Sequence, residues 1–236
     1  MLARSARRLA GLLFGGSCFL CRGAADALLC ARCDADLPRI ASGPGADTCP
    51  RCALASPGGA VCGRCLARPP AFDATRAALW YRFPADVMVQ ALKFRSELAL
   101  ARFFGTLLLE QRGPGPGRVD LVLPVPLFAR RLRERGFNQA MEIARPIARA
   151  TGARLAPELC ERIRDTRAQL ELPLEERRSN VAGAFRCPGL LAGASVALVD
   201  DVMTTGATLD EVAATLKRAG AERVVNWVVA RTPPPA

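Results

Sequence analysis

The stretch Ala197–Leu209, ALVDDVMTTGATL, decides the fold of this chain. An apolar run from Val196 to Val199 ends in two adjacent carboxylates, Asp200 and Asp201. After Val202 and Met203 come Thr204, Thr205, Gly206, Ala207 and Thr208. Leu209, Val212, Ala213 and Leu216 then recur at i, i+3, i+4 and i+7, the spacing of an amphipathic helix. The pattern is buried parallel strand, hydroxyl-rich turn, helix. Such a turn presents free backbone N–H groups and the positive end of a helix dipole to a phosphate. The two aspartates fall at the carboxyl end of the strand, where open α/β sheets bind ligands.

The pairing of signs narrows the ligand. Thr hydroxyls and turn amides donate to a phosphate, whereas carboxylates repel one unless they accept from sugar hydroxyls or hold a metal ion. A phosphorylated sugar satisfies both ends. A helix cap without a ligand is the competing explanation, yet a cap needs one such residue and this stretch offers two acids and three threonines. The segment resembles the phosphoribosyl diphosphate (PRPP) motif of type I phosphoribosyltransferases.

The chain of 236 residues has room for one large domain and a small one, and half of it is hydrophobic, which argues against disorder. No run of eighteen apolar residues occurs, so no transmembrane helix is expected. Met1 to Phe14 carries Arg4, Arg7 and Arg8 ahead of Leu9, Leu12, Leu13 and Phe14. That is short for a secretory signal, and Gly15-Gly16-Ser17 is a poor lipobox before Cys18, so a short amphipathic helix and a cytoplasmic chain are expected. There is no histidine, which excludes Ser-His and Cys-His nucleophilic catalysis, His-ligated zinc hydrolysis and any imidazole base. Chemistry must run on carboxylates, cations, backbone donors and a metal. The formal charge of +11 points to an anionic partner. Two Cys₄ zinc sites would shift it by −4, to +7.

Eight of the ten cysteines form four C-x-x-C knuckles: Cys18/Cys21, Cys30/Cys33, Cys49/Cys52 and Cys62/Cys65. Two such turns supply the four thiolates of tetrahedral Zn²⁺, so about two structural zinc ions are expected. The knuckles pair either as neighbours or interleaved. The segment is poor in large apolar residues, so metal would supply its folding energy. A disulfide framework would need an oxidising compartment; a redox sensor built on the C-x-x-C pairs is a further alternative. Closed Cys₄ sites leave no open position for catalysis. Arg22, Arg32, Arg39, Arg51, Arg64 and Arg68 lie among the knuckles, either solvated or on a phosphate backbone. Cys160 and Cys187 read as ordinary buried cysteines.

Pro69-Pro70 closes this module, giving residues 1–70 to an N-terminal helix and double zinc ribbon and 71–236 to the α/β body. In the body, strands are expected at Ala77–Tyr81, Val119–Val125, Leu155–Glu161, Ser195–Val199 and Val224–Val229. Helices are expected over Asp86–Arg112, broken near Arg95-Ser96, with Val87, Leu92, Leu98, Leu107 and Leu108 inward, from an Asn138 cap to Ala150, and at Leu174–Val181. Gly113–Gly117 reads as a loop, and Gly220 as a helix C-cap. The alternation implies an α/β fold with a doubly wound parallel sheet. Arg130, Arg131, Arg133 and Arg135 are the densest basic cluster; with Phe128 and Phe137, which also read as core, they fit a single-stranded nucleic acid site.

The knuckles, then VLPVP (Val122–Pro126), RGFNQ (Arg135–Gln139), RIRDTRAQ (Arg162–Gln169) and RRSNVAGAF (Arg177–Phe185), precede the PRPP-type motif in that order. This series resembles the ComF competence-protein family, including its GntX-type members, along almost the whole chain, with no departure at the motif positions. The resemblance implies a double zinc ribbon joined to a phosphoribosyltransferase domain and a role in single-stranded DNA uptake during natural transformation, with PRPP and DNA-uptake proteins as partners. It implies that Asp200 and Asp201 face ribose hydroxyls and Mg²⁺, and that Thr204, Thr205, Gly206, Ala207 and Thr208 wrap the 5-phosphate. Pro124, Val125 and Pro126 become the pyrophosphate loop. Lys93, Arg130, Arg135, Gln139, Arg164, Gln169, Arg177 and Asn180 become candidates for pyrophosphate, acceptor or DNA contacts. The expected reaction is phosphoribosyl transfer with displacement of pyrophosphate. The alternative is a protein that binds PRPP or single-stranded DNA without turnover.

Overall fold

Along Ser195–Met203, side chains alternate between two cores: Val196 and Leu198 enter one, Ala197 and Val199 the other. A strand buried on both faces must be covered on both, and that requirement organises the molecule. The computed structural model describes residues 16–41, 45–110, 119–166 and 176–234, apart from the side chain of Arg177. The expected N-terminal helix, the Gly113–Gly117 loop and Gln169 lie outside them.

The sheet has five parallel strands: β1 (Ala74–Trp80), β2 (Leu121–Pro124), β3 (Arg154–Leu155), β6 (Ser195–Met203) and β7 (Arg223–Arg231), in the order β1-β7-β6-β2-β3. A small antiparallel pair, β4 (Glu161–Arg162) and β5 (Phe185–Arg186), stands apart. The helices of the body are α3 (Ala85–Arg95), α4 (Ala99–Glu110), α5 (Ala129–Arg135), α6 (Gln139–Thr151), α7 (Glu176–Val181) and α8 (Ala207–Arg218); two short ones, α1 (Ala31–Ala35) and α2 (Gly63–Ala67), belong to the cysteine region. Met88, Leu92, Phe104, Ile143 and Ile147 of α3, α4 and α6 pack on one face of the sheet. Leu209, Val212, Ala213 and Leu216 of α8 pack on the other, the phase read from the sequence. The doubly wound parallel sheet is thus present.

The cysteine region straddles the sheet edge. Between its two halves, Pro38–Ile40 runs antiparallel to β1: Ile40 N donates to Ala78 O at 2.9 Å and Trp80 N to Pro38 O at 2.8 Å. This covers an edge that would otherwise offer unpaired backbone groups. The first half packs Cys18, Leu29 and Leu37 with the α3/α4/α6 core, and the second packs Ile40, Cys49, Cys52 and Cys65 with the α8 core.

Local expectations needed correction in three places. The Asp86–Arg112 helix breaks where anticipated, at Ser96 in the left-handed region (φ 56°), but Val87 and Leu98 face outward, 38% and 48% exposed. Val87 is out of phase with the inward set of Ala85, Met88, Val89 and Leu92, and Leu98 sits in the link between two helices. The Leu155–Glu161 strand is interrupted by a 3₁₀ turn at Pro157–Leu159, because proline can donate to no ladder. Cys187 is only half-buried and donates to Gly189 O.

Candidate phosphosugar site and zinc ribbons

β6 delivers Asp200 and Asp201 at its C-terminal end, beside the end of β2. Pro124 pairs with Val199, and Val125 N donates to Val199 O at 2.9 Å, so the Pro124–Pro126 turn abuts the acid pair. Asn138 caps α6 by accepting from Ala140 N at 3.0 Å, and its Nδ2 donates to Val125 O at 3.0 Å, tying that helix to the same turn.

The two acids differ. Asp201 is buried, and its Oδ2 lies 2.6 Å from Lys93 Nζ, reaching across from α3. Its Oδ1 accepts from Val202 N at 2.8 Å. Asp200 Oδ1 accepts from Asp201 N at 2.9 Å. Desolvation, then the charge of Asp201, holds the Asp200 carboxyl well above the usual carboxylate range, with Lys93 opposing. Arg135 and Arg162 are pulled down from the ordinary arginine value chiefly by burial, and each feels the Asp200 charge. Arg162 was not singled out in the sequence beyond its motif; its guanidinium sits 5.4 Å from the Phe185 ring centre.

Beyond the acids the chain turns at Gly206, whose φ of +86° is the left-handed conformation a side chain resists. Thr205 Oγ1 accepts from Ala207 N at 3.3 Å, and α8 begins. Two acids, three threonines and the amino end of a twelve-residue helix therefore share one corner of the sheet. Metal ions and phosphosugars call for that donor set: oxygen anions on one side, N–H and O–H donors on the other.

The remaining candidates divide. Arg135 Nη1 donates to the buried Gln139 Oε1 at 2.7 Å, and its guanidinium lies 5.6 Å over the ring of Phe94, which is 69% exposed. Lys93, Phe94, Ser96, Arg131, Glu134 and Arg135 line a cavity of about 390 Å³. Arg130 is taken up by Asp165 and Glu134, each at 2.6 Å. Arg164 donates to the backbone oxygens of Asn180 and Ala182, at 3.1 and 2.6 Å. Phe128 and Phe137 are half-buried.

Sequence reasoning missed Arg231. It ends β7 with 1% of its surface exposed. Nε donates to Cys52 O at 2.8 Å; Nη1 reaches Met203 O at 2.8 Å, Thr204 O, and Thr232 O at 3.0 Å. Burial lowers it to about 10. An arginine closing a strand of seven apolar-surrounded positions was the available signal, since strand ends of this sheet carry the site.

The cysteines gather as two neighbouring sets, Cys18/Cys21/Cys30/Cys33 and Cys49/Cys52/Cys62/Cys65, with sulfurs in each within 4.8 Å of one another. That settles the pairing left open by the spacing. The sets are built alike: Arg22 and Ala53, each following a first knuckle, are left-handed, and Cys30 and Cys62 each precede a short helix, α1 and α2. Zinc fits them. Sγ–Sγ distances of 3.7 Å (Cys21–Cys30) and 3.6 Å (Cys52–Cys62) match the edge of roughly 3.8 Å implied by Zn–S bonds of about 2.3 Å. The amide of Cys21 and then that of Cys30 pull the Cys18 thiol down to about 6. At Cys49 burial pushes upward, but the amides of Cys62, Cys52 and Arg51 prevail, giving about 7. Each set thus has one thiol held below the ordinary cysteine value, and thiolate is the form that ligates a metal.

Residues 9–66 match the family described as double zinc ribbon domain, and residues 139–234 the phosphoribosyl transferase domain. The DNA utilization protein YhgH of Salmonella typhimurium is 37% identical over 190 residues, covering 78% of this chain and 84% of that protein. The chain belongs to the ComF family. Two further relatives carry competence names. Competence protein F of Haemophilus influenzae is 30% identical over 178 residues (72% of this chain, 78% of that protein), and competence protein ComFC of Streptococcus pneumoniae is 27% identical over 208 residues (87% and 89%). This ComF-family chain thus joins two ribbons fit for zinc to a phosphoribosyltransferase-like fold. Among the described residues no helix is long and apolar enough to cross a membrane.

Proposed function

We propose that the chain binds PRPP together with Mg²⁺ at the corner formed by Asp200, Asp201 and the Thr204–Thr208 turn, and transfers its phosphoribosyl group to an acceptor during cytoplasmic handling of single-stranded DNA. In this reading residues 1–70 are the helix and double ribbon, and 71–236 the transferase-like domain. The observation that carries it is the sequence of groups at the end of β6: an acid pair, then a hydroxyl-bearing turn at the amino end of α8. The names of the competence and DNA utilization relatives support the setting.

The turn amides and Thr hydroxyls would hold the 5-phosphate, and the two aspartates the ribose hydroxyls or the metal. Bound Mg²⁺ would screen the charge of the diphosphate. Breaking the bond from the anomeric carbon to pyrophosphate releases an anion, and Arg135 and Arg162, close enough to feel the Asp200 charge, and Lys93 on Asp201 would offset the charge that develops. With no histidine in the chain, catalysis rests on position and electrostatics. Asp200→Asn with Asp201→Asn should abolish Mg²⁺-dependent PRPP binding in calorimetry; undiminished affinity would end the reading. The alternative of binding without turnover draws on the Lys93–Asp201 contact, which already occupies one acid. Incubating PRPP and Mg²⁺ with bases or single-stranded DNA and measuring pyrophosphate release separates the two.

A further inference from the structure

Arg231 is the single cation among the fully buried described residues, and no carboxylate of those residues lies within ion-pair distance of it. Its fork spans two places. Nε is anchored on the carbonyl of Cys52, within the second cysteine set; Nη1 gathers the carbonyls of Met203, Thr204 and Thr232. Nη2 is buried with no hydrogen-bond partner. A buried guanidinium requires compensating negative charge. A zinc-loaded Cys₄ centre carries a net charge of about −2, and Cys52 is in contact with this arginine.

We propose that Arg231 is a positioning residue that couples occupancy of the Cys49/Cys52/Cys62/Cys65 centre to the shape of the Thr204–Thr208 turn. Its consequence for ligand affinity rests on the turn being the phosphate site. With zinc bound, the Cys52 carbonyl is fixed and the thiolate charge stabilises the guanidinium. Nη1 then holds the strand-to-turn junction so that the turn amides face one ligand. Without zinc the knuckle loosens, the fork loses an anchor, and the junction is released. The first cysteine set, packed with the opposite core, has no such link in the described residues.

The test uses full-length protein loaded with zinc, and reads amide hydrogen exchange across Met203–Leu209 alongside PRPP calorimetry. Cys62→Ser loosens the second set without removing a residue that Arg231 bonds; Cys21→Ser loosens the first. Cys62→Ser should speed exchange in the turn about tenfold, the loss of one charge-assisted hydrogen bond, while Cys21→Ser leaves it unchanged. In an Arg231→Lys background Cys62→Ser should add little, because the link is already broken. Equal effects of the two cysteine variants, or additivity of Cys62→Ser with Arg231→Lys, would overturn the coupling. Should Arg231→Lys fail to fold, the two cysteine variants still decide. If the exchange pattern holds while PRPP fails to bind the parent protein, the coupling stands and the PRPP reading falls.

Discussion

Replacing Lys93 by methionine isolates the ion pair that organises the acid corner. The Lys93 side chain is 18% exposed and that of Asp201 5%, with 2.6 Å between Nζ and Oδ2. Methionine keeps most of the stem and its packing but leaves Asp201 with one amide donor, beside the second carboxylate of Asp200. Breaking a fully buried pair costs about 3–5 kcal/mol. Lys93 keeps some contact with solvent, so water can partly replace it, and about 2–3 kcal/mol is expected. In a chain of this size each kcal/mol moves the melting temperature by about 2–4 °C, so the transition should fall by roughly 5–10 °C in zinc-saturated buffer without other metals. Adding Asp201→Asn removes the stranded charge, and the double variant should recover at least half of the loss. A shift below about 2 °C, or a double variant as unstable as the two single losses combined, would refute the argument that this pair holds the corner together.

Other perturbations probe the remaining pieces. Purified reduced protein should carry about two zinc ions per chain, and Cys21→Ser and Cys62→Ser should each lose one; joint loss would contradict neighbouring pairing. Gly206→Ala should weaken PRPP binding and cost about 1 kcal/mol, since a side chain resists φ +86° and its Cβ would meet Met203 Cε at 2.7 Å, a flexible end that can yield. Asp200 keeps its proton to higher pH when folded than its ordinary value near 4. Its stabilising contribution is complete below that value and fades as pH rises through the folded one. Metal-free Asp200→Asn should therefore unfold with a flatter pH dependence and at a higher temperature at neutral pH. Single-stranded DNA affinity should fall steeply with salt, and more gently once Arg131, Arg133 and Arg135 are neutralised; absence of binding would remove nucleic acid as a partner.

How much of this was legible in the sequence depended on range. The β6 strand, its acid pair, the threonine turn and the phase of α8 are encoded within about twenty neighbouring residues, and the structure follows them. Asn138 was read as a cap and is one, because capping is decided two residues away. Lys93 was a candidate for pyrophosphate, acceptor or DNA contacts; its contact with Asp201 is made by the fold and by nothing local. Zinc pairing was left open by knuckles separated by eight, fifteen and nine residues; the fold gathers the first with the second and the third with the fourth. Arg164 carried the same motif weight as Arg135, yet one is spent on carbonyls of the Asn180–Ala182 bend while the other overlooks the acid pair. Charge in a motif says which groups are available; only the packing says which way they face.

Arg231 shows the limit most plainly. On composition alone it is one more cation in a chain of net charge +11. Buried, it cannot take part in a general attraction for anions, and its Nε and Nη1 are committed to the carbonyls of Cys52, Met203, Thr204 and Thr232. The ribbons are therefore more than an appended module. Because the second one supplies the carbonyl that anchors this guanidinium, and the guanidinium in turn holds the junction from which the threonine turn departs, the metal-binding region and the candidate phosphosugar corner share one structural element. Stripping zinc from the whole chain with a chelator should loosen that anchor, and the zinc-free protein should then show faster amide exchange across Met203–Leu209 than the loaded one. Equal exchange in the two would mean that the turn is shaped by α8 and β7 without help.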